Sequence, residues 1–304
     1  MRNWIFALVA TGLTASVADA RAASPDVDDP LLRPIAPSSA ARWLAPQEPK
    51  RIHGDTFLVG FGGLNVGLIR TDAGLILIDG AVPQGVPAIE ANIRRLGFQL
   101  KDVKFILSTE PHFDHAGGLA ALARDTGATV VASTPAAAVL RQGRSGSDDP
   151  QYGGLAAFPP VQKLRIIGDG ETLRLGRTVV TARATPGHTA GSMSWTWRSC
   201  EGGKCLDVVF ASSLNPVSAD GYRFSAPEHA AVVTSLRQTF QVVRALPCDL
   251  LLTAHPDQSG GDAKFKRYLS APSPNPFVVP GACQAYAGKY EGVLAKRLAS
   301  EAGG

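Results

Sequence analysis

The sequence predicts one large α/β protein built in layers, and three observations support this prediction. Short apolar runs that suit strands alternate with segments of helical periodicity. Polar residues cluster just past the ends of those runs, where layered α/β proteins usually assemble their sites. The 304 residues are 45% hydrophobic and only 18% charged, which is enough for one substantial core.

The N-terminus has the layout of a secretory signal. Arg2 precedes an apolar run over 4–10, and small-residue cleavage sites follow at 18–20 and 20–22. We therefore predict a signal peptide over 1–20 with cleavage near 20–22, and a periplasmic or secreted protein. The apolar run is too short to span a membrane convincingly, although an uncleaved signal would leave the chain anchored.

Residues 21–50 are rich in Pro and Ala without periodicity, so we expect an extended arm that lies over a domain of residues 51–304. The 30 basic and 26 acidic residues give a formal net charge of +4 and form no Lys/Arg block. Recognition of a nucleic-acid backbone usually requires such a block. We expect a small-molecule substrate, no nucleic acid, no membrane contact after signal cleavage, and a monomer.

The domain begins with apolar runs at 57–60, 66–69 and 75–79, which are separated by Gly and Asp turns and predict consecutive strands. Apolar residues at near-helical spacing over 86–96, followed by Gly97, predict a helix with a glycine stop. A strand is then predicted over 103–107, a helix from Leu119 to Arg124, and a strand over 129–131. Later apolar runs precede further polar loops, at 178–181, 208–210 and 250–253.

Glu110-x-His112-x-Asp114-His115 is the strongest local signal in the chain. Residues two apart in an extended segment point the same way, so Glu110 and His112 are placed to share one metal ion. Asp114 and His115, at the turn into the next helix, are placed for a second metal ion. Imidazole nitrogen and carboxylate oxygen are ligands that suit zinc.

His188, in Pro186-Gly187-His188, and His255, in His255-Pro256, are the remaining candidate ligands. Both follow predicted strands, as the motif does. His53 and His229 have no such neighbours, and we predict structural or surface roles for them.

Four cysteines in an exported chain are an even set that an oxidising compartment would pair. The turn-like residues 201–204 favour a disulfide between Cys200 and Cys205. Cys248 and Cys283 would then join the C-terminal segment to the core. Four cysteines allow three connectivities, so this pairing is a hypothesis.

The motif and the two distant histidines resemble the metallo-β-lactamase superfamily, whose signature is His-x-His-x-Asp-His followed by two later histidines. The similarity extends over most of the chain, and several segments look like the third subclass of metallo-β-lactamases. Those segments are 53–56, 77–81, 145–153 and 158–161. The resemblance implies a four-layer αββα sandwich with two zinc ions at one edge. It assigns Glu110, His112 and His188 to a first site, and Asp114, His115 and His255 to a second site.

Glu110 departs from the family pattern, which has histidine at this position. Glutamate is an acceptable zinc ligand, but it adds a negative charge and its side chain is longer and more mobile than that of histidine. We expect the first site to bind zinc more weakly than the second. In the alternative reading Glu110 points away and the first site is lost.

Zinc lowers the pKa of a bound water to near neutrality, and Asp114 is the predicted catalytic residue that orients this water and accepts its proton. Asp79 is predicted to orient the ligands by hydrogen bonding, with a simple turn cap as the alternative. By the resemblance, Ser213 and Asn215 contact the substrate, although Asn215 stands where the subclass commonly has serine. Tyr152 and Phe158 are candidates for the pocket wall, or for plain packing.

The leading functional prediction is zinc-dependent hydrolysis of the β-lactam amide in penicillins, cephalosporins and carbapenems, and hence antibiotic resistance. An exported lactonase or esterase of the same superfamily is the first alternative. Relatives of that kind usually carry an aspartate after the strand that precedes 212–215, and this chain has no acidic residue there. A non-catalytic protein with a degenerate metal site is the second alternative.

Overall fold

The computed structural model describes Met1 and residues 29–303, so the predicted signal peptide lies outside the described part of the chain. The described residues form strands and helices in a mixed order. The strands are β1 Lys50–His53, β2 Thr56–Leu58, β3 Gly67–Thr71, β4 Gly74–Ile78, β5 Val103–Leu107, β6 Thr129–Ala132, β7 Leu164–Ile166, β8 Thr172–Leu175, β9 Thr178–Ala184, β10 Met193–Glu201, β11 Lys204–Ala211 and β12 Leu250–Thr253. The α-helices are α1 Ala40–Trp43, α2 Val86–Arg95, α3 Phe113–Ala116, α4 Leu119–Thr126, α5 Thr134–Gln142, α6 Ala230–Ala245, α7 Gly261–Ser270 and α8 Ala282–Ala302.

The strands form two sheets, each of mixed direction. The first sheet has seven strands in the order β1 to β7, antiparallel from β1 to β4 and parallel from β4 to β7. The second has five strands in the order β12-β11-β10-β9-β8, and only its β11–β12 pair is parallel. In both sheets the parallel strands bring their carboxyl ends to one edge, which is where a site can form.

The two sheets pack face to face between helices, because their central strands are apolar on both faces. Ile76 and Ile78 of β4 point into the core between the sheets, where they join Trp195 and Phe210 of the second sheet. The alternate residues of β4 pack on the other face with α2, α4 and α5. Helices α6 and α8 cover the outer face of the second sheet. This is the predicted four-layer αββα sandwich.

Helix α2 confirms the prediction over 86–96, and Gly97 takes the left-handed conformation (φ 84°) expected of a glycine stop. Both predicted disulfides, Cys200–Cys205 and Cys248–Cys283, are present. The described part of the arm is less extended than expected, because it contains a 3-10 turn at Pro30–Leu32 and the one-turn helix α1. The first strand begins at Lys50, one residue before the predicted domain boundary.

Within the described residues, no helix combines the length and the apolar character that crossing a membrane would require. His53 is buried beside Glu201, and His229 stacks on the Tyr222 ring with centroids 3.8 Å apart. Both histidines lie apart from the sets of residues that could hold a metal ion.

Candidate metal centre

The predicted ligands converge at the edge where the parallel strands end. Each ligand-bearing loop directly follows a strand of the sandwich. Asp79 follows β4, Glu110 to His115 follow β5, His188 follows β9, Ser213 and Asn215 follow β11, and His255 follows β12. The six predicted ligands are thereby brought together from three loops, those that follow β5, β9 and β12.

Asp79 is hydrogen-bonded to the loop that carries Glu110 to His115. Its carboxylate accepts hydrogen bonds from the backbone N–H (2.8 Å) and the hydroxyl (2.6 Å) of Thr109, one residue before Glu110. Asp79 adopts φ 65°, a conformation that Asp tolerates better than most residues. Burial raises the pKa of the Asp79 carboxyl, whose Oδ2 lies 3.4 Å from His115 Nδ1. These contacts favour the predicted positioning role over a simple turn cap.

Glu110, His112 and His188 form one compact set, whose ligand atoms all lie within 4.8 Å of one another. Asp114, His115 and His255 form an even tighter group. His115 Nε2 lies 3.1 Å from His255 Nε2, and Asp114 Oδ2 lies 3.4 and 3.3 Å from these two nitrogens. The Glu110 carboxylate lies between the groups, since its Oε1 is 3.0 Å from His115 Nε2 and 3.7 Å from His188 Nε2. Glu110 therefore points into the centre and not away from it.

The hydrogen bonds of the outward-facing ring nitrogens fix the histidine tautomers. His188 Nδ1 lies 2.9 Å from the carbonyl oxygen of Asn215, and His255 Nδ1 lies 3.2 Å from that of Gly63. A carbonyl only accepts, so both Nδ1 atoms carry hydrogen and both Nε2 atoms present a lone pair inward. His112 is turned the other way, because its Nε2 faces the Asp149 carboxylate at 2.8 Å and its Nδ1 is left for a metal. This is the arrangement that metal-ligating histidines require.

The charges of the centre are strongly coupled. Burial alone would raise the pKa of the Glu110 carboxyl, but the facing His115 and His188 hold it well below its usual value. Burial alone would lower the pKa of His115, but Asp114 and Glu110 hold it well above its usual value. Carboxylates that stay ionised opposite imidazoles suit a bound cation, which would take the place of the His115 proton. The residues present therefore fit a metal ion.

Ser213 forms hydrogen bonds to Glu110 and does not line the cavity. Its backbone N–H and its hydroxyl each donate to one oxygen of the Glu110 carboxylate, both at 2.8 Å. Gln258 donates to the same hydroxyl at 3.3 Å and accepts from the Tyr286 hydroxyl at 2.7 Å. A buried chain of hydrogen bonds thus connects helix α8 to Glu110.

A cavity of about 430 Å³ opens over the ligands, and His112, Asp114, His188 and His255 all line it. Asn215 lines it too, as expected for a substrate contact. Neither aromatic candidate is among the residues that line the cavity: Phe158 packs in the core, which is the alternative given for it, and Tyr152 is 56% exposed. The cavity is instead lined by further residues to which the sequence assigned no role. These are Arg42, Trp43, Gln151, Leu155, Val217, Gln258, Lys289 and Tyr290.

Asp149 is the positioning residue that sequence reasoning missed. Replacing it with asparagine should weaken zinc binding at the first site by about tenfold, because the carboxylate that orients His112 is lost. The neighbouring Asp148 is exposed and serves as a matched control. The zinc affinities of Asp149→Asn and Asp148→Asn are measured by competition with a chromophoric zinc chelator. Equal affinities for the two variants would refute the positioning role of Asp149.

Comparisons with known proteins agree with this geometry. The family model of the metallo-β-lactamase superfamily matches residues 59–255. A solved B3 metallo-β-lactamase, described as the first with an active-site glutamic acid, is 54% identical with a TM-score of 0.83, over 90% of this chain and 98% of that chain. MEM-A1, a subclass B3 enzyme from a soil metagenome library, is 44% identical (TM-score 0.83; 86% and 99% of the two chains). BJP-1, a subclass B3 enzyme of Bradyrhizobium japonicum, is 35% identical (TM-score 0.78; 87% and 98%).

Proposed function

Because the chain belongs to the metallo-β-lactamase superfamily, we propose that it is a zinc hydrolase that opens the β-lactam amide of penicillins, cephalosporins and carbapenems. Antibiotic resistance would follow from this activity. The predicted enzyme class, a metallo-β-lactamase, agrees with relatives that cover most of the chain. The observation that supports the proposal is the convergence of the six candidate ligands at one centre, four of which line one cavity.

The six residues of the two sites would hold two zinc ions. When bound, zinc acidifies a coordinated water and polarises the carbonyl of the scissile amide. Glu110 would serve the first site in place of an imidazole, and its hydrogen bonds to Ser213 fix its direction. His188 and His255 are held in the ligating tautomer by backbone carbonyls, so little reorganisation is needed.

Asp114 is the proposed proton acceptor. Its carboxylate lines the cavity, and the facing His115 and His255 overcome its burial and keep its pKa below the usual value. The carboxylate is therefore ionised at neutral pH and able to orient a water by accepting its hydrogen bond. A residue in this position takes the proton that the water loses on attack and returns it to the departing amide nitrogen.

The walls of the cavity suit an anionic substrate. Penicillins, cephalosporins and carbapenems all carry a carboxylate next to the lactam ring. Asn215 is the proposed substrate contact, and Lys289, whose Nζ donates to the Gln258 carbonyl at 2.8 Å, is a cationic residue of the same cavity lining. Ser213 would act on the substrate through Glu110, since both of its donor groups are used there.

The location of the enzyme is proposed to be the periplasm or the exterior of the cell. The two disulfides support this proposal, because such bonds persist in oxidising compartments and are rare in the cytosol. The signal peptide over 1–20 remains a prediction.

A substrate panel tests the proposed activity against its alternatives. Purified protein should hydrolyse a penicillin, a cephalosporin and a carbapenem faster than an acyl-homoserine lactone or a p-nitrophenyl ester. Greater turnover of the lactone or the ester would assign the chain to the lactonase or esterase alternative. Absence of turnover on every substrate, with no metal bound, would favour a degenerate site.

A further inference from the structure

We propose that Arg42 and Trp43, which end the one-turn helix α1 in the N-terminal arm, position the His255 ring and thereby set the zinc affinity of the second site. The inference rests on the proposed function, because it concerns a metal that this function requires. Three separate contacts between the arm and the neighbourhood of His255 carry it.

The first contact is the packing of the Trp43 indole against residues of the second site. Its ring centroid lies 5.9 Å from that of His255 and 5.8 Å from that of Phe113. Phe113 is the first residue of α3, the helical turn that also carries Asp114 and His115. One aromatic side chain from the arm therefore packs against a ligand ring and against the turn that supplies the other two ligands. Such packing limits the rotation of the His255 ring.

The second contact acts through Gly63, whose carbonyl accepts the hydrogen bond of His255 Nδ1. This glycine lies directly against the arm: a Cβ atom on it would stand 2.6 Å from the Arg42 carbonyl oxygen and 2.7 Å from Trp43 Cα. The adjacent Gly62 N–H donates to the carbonyl of Ala45 at 2.8 Å. The peptide that fixes the His255 tautomer is thus itself held in place by the arm.

The third contact is the ion pair between Arg42 Nη1 and Asp257 Oδ2, at 2.8 Å. Asp257 comes two residues after His255, so the pair ties the arm to the loop that carries this ligand. The two side chains are 64% and 51% exposed, and an exposed pair contributes little by itself. We therefore expect the indole and Gly63 to dominate.

The backbone before His255 is held without the arm. Asn65 donates from its backbone N–H to the carbonyl of Ala254 (2.9 Å) and from its side chain to that of Thr253 (2.8 Å). These bonds set where the main chain of the loop lies, but none of them reaches the imidazole. The imidazole itself is contacted by His115 and Asp114 on the metal side and by Trp43 and the Gly63 carbonyl on the other. Loss of the arm removes one of these two sides and should weaken metal binding with little effect on the fold.

The test measures zinc binding in three variants. Trp43→Leu removes the aromatic contact, Gly63→Ala forces the arm away, and Arg42→Met removes the ion pair. Arg94→Met is the control, because Arg94 is about as exposed as Arg42 (55% against 64%) and its ion pair with Glu90 lies on α2, outside the cavity. All variants also carry His188→Ala, which leaves only the second site complete, so that the measured zinc dissociation constant belongs to that site.

We expect Trp43→Leu and Gly63→Ala to weaken zinc binding by about tenfold, Arg42→Met by less, and Arg94→Met not at all. The visible spectrum of the Co²⁺-substituted second site should change in the first two variants, while the melting temperature of the metal-free protein stays near that of the parent. Unchanged zinc constants and Co²⁺ spectra would overturn the inference. So would weakened binding that appears only together with unfolding of the metal-free protein, since the role would then be merely structural.

Failure of this inference is distinguishable from failure of the proposed function. Zinc affinity that depends on Trp43, in a protein whose unmutated centre does not open β-lactams, would support the inference and refute the function. Rapid β-lactam turnover by the unmutated protein, with a second site indifferent to Trp43 and Gly63, would do the reverse.

Discussion

Replacing Asp114 with asparagine should lower kcat/KM for β-lactams by about 10²–10⁴-fold, the usual contribution of a positioned general base. Asparagine keeps the size of the side chain and lets the chain fold, but it cannot accept the proton of the attacking water. It also removes the carboxylate that lies 3.4 Å from His115 and 3.3 Å from His255. Some loss of zinc from the second site is therefore expected as well.

Steady-state kinetics with excess zinc separate these two effects. Asp262→Asn is a suitable control, since Asp262 is exposed on α7 outside the cavity. A kcat/KM that remains low when zinc content is restored assigns proton transfer to Asp114. Turnover by Asp114→Asn close to that of the unmutated protein would contradict the proposed mechanism.

Zinc titration of the unmutated protein should reveal two unequal sites, and Glu110→His should reduce the difference. Ser213 donates to both oxygens of the Glu110 carboxylate, and hydrogen bonds to a charged group are worth about 1.5–3 kcal/mol each. Each oxygen keeps a second lone pair for a metal, but the negative charge that would attract the metal is already shared with these donors. Two such bonds at the lower end of the range correspond to about 10²-fold in affinity. We expect the histidine variant to tighten the first site by about that factor.

Calorimetric titration of the metal-free protein with zinc measures both constants. Glu171→His makes the same exchange at an exposed position on the surface and is the control for adventitious binding. Two equally tight zinc sites in the unmutated protein would refute the expectation that glutamate weakens the first site.

The candidate metal ligands were predictable from the sequence because each one lies close, along the chain, to the strand that positions it. Strands β5, β9, β11 and β12 are apolar runs that end in polar loops, and each candidate ligand follows its strand within a few residues. The two disulfides were predictable because an even set of cysteines favours pairing in a chain that the sequence predicts to be exported.

Apart from Asp79, the residues that surround the ligands were not predictable, because their contacts join distant parts of the chain. Asp149 lies 37 positions from His112, and Arg42 lies 215 positions from Asp257. Two short elements were also difficult to identify from the sequence: strand β7 is largely exposed, and α1 is a single helical turn. Helix α8, which supplies Tyr286 and Lys289, has no motif of its own. Only tertiary packing places such residues, so a sequence pattern cannot identify them.

Hydrolysis of nitrocefin by the purified protein, with zinc content determined on the same sample, tests the central claim most directly. The account predicts rapid turnover that a chelator abolishes and that added zinc restores. Full zinc occupancy without nitrocefin turnover, or turnover that is indifferent to removal of the metal, would contradict it.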